Sequence, residues 1–179
     1  MKNVFAILAG ALLLFLSIRS PSQSREPPNQ GKKNTDGVMQ NDCEKLLKDH
    51  RRIYYLNSRH FRMSMQIRGI YTQGEMVFFR MHFNNHANIN YDVDSIRFFI
   101  KDAYPQKKGK QGVVELSPVY TYGNVRLIHG KSQEDAVMVF PRFTLQPGKR
   151  LSVEVSEKNG GRRLEVLADN FTLVRARLI

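Results

Sequence analysis

Tryptophan is absent from these 179 residues, and cysteine occurs once. The single thiol, Cys43, excludes an intramolecular disulfide, so an exported form of the chain must draw its stability from its core. Acidic residues are also scarce. Asp and Glu number 16 against 28 Lys and Arg, giving a formal net charge of +12. Such a balance attracts nucleic acid or anionic envelope polymers, and equally describes a solvated basic surface; charge alone does not choose. Long apolar runs are few. The longest, Val4 to Ile18, falls short of the roughly 20 residues that span a bilayer. Lys2 precedes it, and Arg19, Pro21 and Ser22-Gln23-Ser24 follow it. This is the layout of a secretory signal peptide cleaved near Ser24, with an uncleaved N-terminal anchor as the alternative. Arg19, Arg25, Lys32 and Lys33 oppose translocation by their position after the run. Residues 1–24 carry two basic residues and no acidic one, so the remainder keeps a net charge of +10.

What is present divides the remainder into three. Residues 25–40 are rich in Pro, Gly, Asn, Gln and Lys and read as a disordered linker. Residues 41–58 read as a short helix capped by Asn41-Asp42. Leu46, Leu47, Ile53 and Tyr54 fall on its inner side, and Lys45, Lys48, Arg51 and Arg52 on its wet side. From residue 59 the period changes to two. Phe61, Met63, Met65, Ile67 and Gly69 alternate with polar residues as in a half-buried strand. Further strands are expected at Met76–Phe83, Tyr91–Ile100, Val113–Leu116, Val125–Ile128 and Val137–Phe140, with Phe171–Ile179 an extended tail. About eight short strands with no second helix predict a mainly β fold, an antiparallel, immunoglobulin-like β-sandwich over residues 59–179.

The last third holds the strongest local signal. Asn159-Gly160 lies between Leu151–Val155 and Leu164–Val166, which both alternate. A two-residue type I′ turn, or a longer loop over Lys158–Gly161, sets Glu157 against Arg162. Val155 then faces Leu164, Val153 faces Val166, and Leu151 faces Ala168. The same register sets Glu154 against Glu165, a like-charge pair costing roughly a few tenths of a kcal/mol.

No catalytic constellation emerges. His82 and His86, four apart on a strand, stand about 13 Å apart, too far to share a metal. Asp92 and Asp94 flank Val93 at a strand start, where they accept backbone N–H bonds and Asp94 pairs with Arg97. Acidic neighbours raise the Cys43 pKa. No metal or cofactor is expected. Lys107, Lys108 and Lys110 make the loop 105–112 basic and exposed. Arg51, Arg52, Tyr54, Tyr55, Arg59 and Arg62 mix charge with aromatics, a composition compatible with stacking and phosphate contacts.

Five segments also resemble a known family, in order. They are Tyr91–Asp102, Glu115–Tyr120, Phe143-Thr144-Leu145 with Lys149-Arg150-Leu151, Glu157–Arg162, and the closing Val174-Arg175-Ala176. Together they resemble the TraN family of bacterial conjugative transposons over roughly residues 60–179; several motifs in order are more specific than any one. The resemblance implies a non-enzymatic subunit of a conjugative type IV secretion apparatus, periplasmic or outer-membrane-associated, working through protein contacts. Its expected partners are other subunits of the apparatus. Self-assembly into a ring is a further expectation, and the alternative is an exported module that binds DNA or anionic polymers. Tyr91, Asp92, Asp94, Arg97, Glu157, Asn159, Gly160, Gly161 and Arg162 are expected to define the fold, and Lys107, Lys108 and Lys110 to interact.

Overall fold

A computed structural model describes residues 30–104 and 112–179. The predicted signal peptide and the lysines of the loop at 107–110 lie outside the described residues. The chain builds α1 (Gln30–Leu47), β1 (Asn57–His60), β2 (Met63–Gln73), β3 (Met76–Asn85), β4 (Tyr91–Asp102), β5 (Val114–Leu116) and β6 (Tyr120–Gly123). It continues with β7 (Leu127–Ile128), β8 (Ser132–Pro141), β9 (Lys149–Glu157), β10 (Arg163–Ala168), α2 (Asn170–Val174) and β11 (Arg177–Leu178). Two sheets pack face to face as a sandwich. One runs β1-β2-β3-β8-β6, the other β10-β9-β4-β5, with β7 on the β5 side of β4. All ladders are antiparallel except that of β11, which pairs parallel with the end of β2. Among the described residues no helix is long and apolar enough to cross a membrane.

The core lies where the inward faces meet. Phe79 and Phe140 from the first sheet enclose Phe98 from the second, with ring centroids 5.3 and 4.5 Å from it. Edge-on and tilted arrangements of this kind add to the area that these rings bury. Alternation sets most of the pattern: Met63, Met65 and Ile67 point in, and Ser64, Gln66 and Arg68 point out. A bulge at Arg68 then resets the phase, since Ile67 pairs with Met81 but Gly69 with Arg80. Ile70 therefore returns to the core, and Tyr71 joins Phe78, Val137 and Val139 on the outer face. Gly69 is needed there, because a Cβ would stand 2.4 Å from the Tyr71 ring.

That apolar outer face explains α1. Met39, Cys43, Leu46 and Leu47 form one stripe at helical spacing and pack on it, against β8, β6 and β3. The helix thus begins at Gln30 and ends at Leu47, instead of spanning 41–58, and residues 30–40 are helical instead of linker. Asn41 and Asp42 lie inside it. Ile53 and Tyr54 belong to the following extended segment, where the Ile53 N–H donates to the Arg68 carbonyl at 2.9 Å.

Other expectations are corrected. Phe61 is not in a strand: with Arg62 it makes the two-residue turn between β1 and β2, at φ 43° and 63°, and its ring is 68% exposed. Tyr120–Gly123 is a strand, and Val125–Ile128 shrinks to Leu127–Ile128. The extended tail contains α2, capped by Asp169, whose carboxylate accepts from the Thr172 N–H at 2.8 Å, followed by β11. The β1–β2 turn yields a prediction. Both central residues are left-handed, and neither is Gly or Asn. Replacing Phe61 with Asn and Arg62 with Gly together should stabilise the fold by about 1 kcal/mol, read as a higher urea midpoint at unchanged slope.

Candidate interaction surfaces

The predicted fold-defining residues divide into a buried knot and an open face. In the hairpin, β9 and β10 pair in the predicted register, with Val155 opposite Leu164 and Glu154 opposite Glu165. The turn is the longer loop. Asn159 alone has positive φ, at 53°, and the Gly160 N–H reaches the Glu157 carbonyl at 3.5 Å. Glu157 curls beneath this loop. Its carboxylate accepts from Arg162 Nε at 3.0 and 2.9 Å and from the Arg162 backbone N–H at 3.3 Å. A Cβ on Gly160 would lie 2.1 Å from that carboxylate, which explains the glycine; nothing crowds Gly161. Arg162 also donates to the Asn90 carbonyl at 2.6 Å and covers the Tyr91 ring at 4.9 Å. The Tyr91 hydroxyl returns a bond to the Arg162 carbonyl at 2.8 Å. Burial pushes the Tyr91 pKa up, and the Arg162 hydrogen bonds hold Glu157 below its ordinary range. One knot thus ties the start of β4 to the β9–β10 turn.

Asp92 contributes its backbone, accepting from the Lys158 N–H at 2.8 Å. Asp94 occupies a bulge between Val93 and Ser95 and accepts from Ser156 Oγ at 3.3 Å. It does not pair with Arg97. Cross-strand geometry wins: Arg97 forks onto Glu115 of β5 at 2.8 and 2.7 Å.

Arg97 opens onto the outer face of the second sheet. Arg97 and Lys101 flank Phe99, 4.7 and 5.1 Å from its ring centroid. Lys101 also bonds Glu154 and reaches Glu165 at 3.5 Å, so a cation from β4 offsets the like-charge pair. Ser152 Oγ donates to Glu165 at 2.6 Å, and Arg163 pairs with Glu154. Burial works against the Glu154 charge, but Lys101 and Arg163 prevail and its pKa is lowered. Beside this ladder β5 ends the sheet order, leaving one edge unpaired among the described residues. Val114 of β5 and Val113 just before it are both exposed at that edge.

The histidines do not converge. His82 is buried on β3, with Nδ1 3.0 Å from an Asp135 carboxylate oxygen; His86 lies in the loop after β3, its carbonyl accepting from Arg62 and Lys131. Among the described residues no group of three or more His, Cys, Asp and Glu side chains can hold a metal.

Two features went unread in the sequence. One is Arg80, buried beneath the end of α1. The other is a cavity of about 370 Å³ that gathers Arg52, Tyr54 and Tyr55 with Arg175 and Arg177, more than 100 residues further along the chain. No local spacing signals either. Both arise from the way the post-helix segment and the C-terminal segment lie beside β2.

Residues 37–178 match a protein family described as Domain of unknown function (DUF4138). The chain belongs to this family. The DUF4138 match starts within α1 and ends within β11, so helix, sandwich and C-terminal strand form one family unit. No curated protein matches the chain.

The carboxylates of this DUF4138 domain predict a pH dependence. Hydrogen bonds from Arg51 hold Asp49 well below its ordinary pKa, helped by the Tyr71 hydroxyl at 2.8 Å, and Arg162 lowers Glu157. A depressed folded pKa gives stability that is present above the unfolded value, about 4, and lost as pH falls through the folded one. The melting temperature should hold from neutrality to about pH 5 and drop below about pH 4. Glu157→Gln should lessen that drop.

Proposed function

We propose that this domain is a non-enzymatic structural subunit of a conjugative transfer (type IV secretion) apparatus, working in the cell envelope through protein contacts. The observation that carries the reading is a coincidence of position. The ordered segments that resemble TraN proteins fall within the span matched by the DUF4138 family. The surface agrees with such a role. Tyr91, Glu157 and Arg162 bind one another, while Arg97 leads to an open, charged sheet face and the β5 edge, unpaired among the described residues. A short edge strand with the exposed Val114, unpaired among the described residues, can accept a strand from a neighbour, main chain to main chain.

Envelope fractionation and co-purification with the other conjugation proteins test this. The protein should fractionate with the envelope and bring those proteins down. Val114→Lys, a charge on the exposed edge, should abolish co-purification and leave the melting temperature unchanged. Recovery of the protein alone from the cytoplasm overturns the proposal.

A further inference from the structure

The cavity between the post-helix segment and the C-terminal segment has a composition that calls for a ligand. Its floor includes the core residue Ile70, and Arg52, Arg175 and Arg177 line its walls with Tyr54 and Tyr55. Among the described residues none of these three guanidinium groups has a carboxylate within 4.0 Å, unlike Arg51, Arg68, Arg97, Arg142, Arg162 and Arg163. Arg175 stacks over Phe171 at 3.7 Å, which orients its fork without neutralising it. Arg177 Nη1 is buried and has no hydrogen-bond partner. Arg68, Arg80 and Arg162 each carry one such nitrogen too, but meet a carboxylate or carbonyl through another, whereas among the described residues no acceptor meets the Arg177 side chain in this arginine-walled cavity.

We propose that this cavity receives carboxylate side chains from an acidic segment of a protein partner. Three planar forks around one cavity suit two-oxygen acceptors, and the exposed Tyr54 and Tyr55 at its mouth offer apolar area at little conformational cost. A nucleic-acid strand is less well suited, because its binding groove tracks successive phosphates, whereas here the unneutralised arginines share a single cavity of about 370 Å³. The chain's own first 29 residues do not fit, since they carry Lys2, Arg19 and Arg25 against one acid, Glu26. A second copy is disfavoured by its net charge of +12.

This inference rests on the protein-binding reading above and names the partner's chemistry. The purified full-length protein is titrated into a fluorescein-labelled Glu-rich peptide and, separately, into labelled oligodeoxythymidylate, with anisotropy as the readout. The peptide should bind, and Arg52→Gln or Arg175→Gln should weaken it by about tenfold or more. Arg142→Gln, at an exposed arginine on Glu75, controls for overall charge and should leave binding unchanged. An equal loss in Arg142→Gln, preference for the oligonucleotide, or no peptide binding each overturns the proposal. Arg52 and Arg175 are exposed, so both variants should melt as the parent does. Failed peptide binding with intact envelope co-purification removes this inference alone; the converse removes only the conjugation reading.

Discussion

Arg162→Ala is expected to destabilise the domain by about 3 kcal/mol, because it strands a largely buried carboxylate. The Glu157 and Arg162 side chains are only 12% and 8% exposed. The pair is therefore not a screened surface bridge, for which well under 1 kcal/mol would be expected. Truncation also removes the donor to the Asn90 carbonyl and the cation above Tyr91. Arg162→Lys should recover part of the loss: it restores the charge but not the fork that binds both Glu157 oxygens through Nε. Removing both partners, Glu157→Ala with Arg162→Ala, should cost less than the two single losses added, since neither charge is then left alone. Urea denaturation of the four proteins measures the cycle. A loss below about 1 kcal/mol for Arg162→Ala would show that the knot does not hold the turn. The same series separates fold from the proposed protein contacts: the knot lies away from the β5 edge, so folded Arg162→Lys should behave as the parent in the co-purification test.

How much of this was legible depends on the range of the interaction that decides each feature. The β9–β10 register was readable, because a period of two and a nearby turn leave one slip that buries Val153, Val155, Leu164 and Val166 together. The role of Glu157 and Arg162 as a turn closure was readable for the same reason. The turn type was not. Asn159-Gly160 suits a two-residue turn, yet the carboxylate of Glu157 occupies the space beneath Gly160 and a longer loop forms around it. Sequence proximity points Arg97 to Asp94, but the partner on its own face is Glu115, on the strand that begins at Val114. The start of the helix was missed through composition. Residues 30–40 are polar, and the stripe of Met39, Cys43, Leu46 and Leu47 gains meaning only against Tyr71, Phe78, Val137 and Val139. Tyr71 reaches that face through the bulge at Arg68, an extra residue that simple alternation does not announce. The arginine-lined cavity needed the whole topology, since it joins residues 52–55 to 175–177 across the edge of β2.

Arg80→Met should release α1 from the sandwich, and Cys43 makes that release measurable. Arg80 stands on the outer face of β3, opposite Gly69, with only 3% of its surface exposed. Its guanidinium donates to the Leu46 carbonyl at 3.1 Å and to the carbonyls of Asp49 and Arg51. These acceptors lie at and just beyond the C-terminus of α1, where the helix leaves carbonyls unpaired and where a cation is favoured by the helix dipole. Methionine keeps the apolar stem and removes every donor. The Asp49 and Arg51 carbonyls then lose this donor, while the Leu46 carbonyl keeps the Asp49 N–H at 3.1 Å; the losses should cost about 3 kcal/mol together, concentrated on the docking of the helix. Cys43 is fully buried in that interface, and its thiol pKa is pushed up to about 12, first by burial and then by Asp42. The docked thiol, out of reach of solvent, should therefore react with a disulfide reagent far more slowly than the same thiol in urea. In Arg80→Met the native-state rate should rise at least tenfold, since each 1.4 kcal/mol of lost docking raises the open population about tenfold. Leu46→Ala, which trims the same interface without touching the carbonyl network, should raise it too. If Arg80→Met melts earlier while Cys43 stays as protected as in the parent, Arg80 supports the sheet but does not hold the helix.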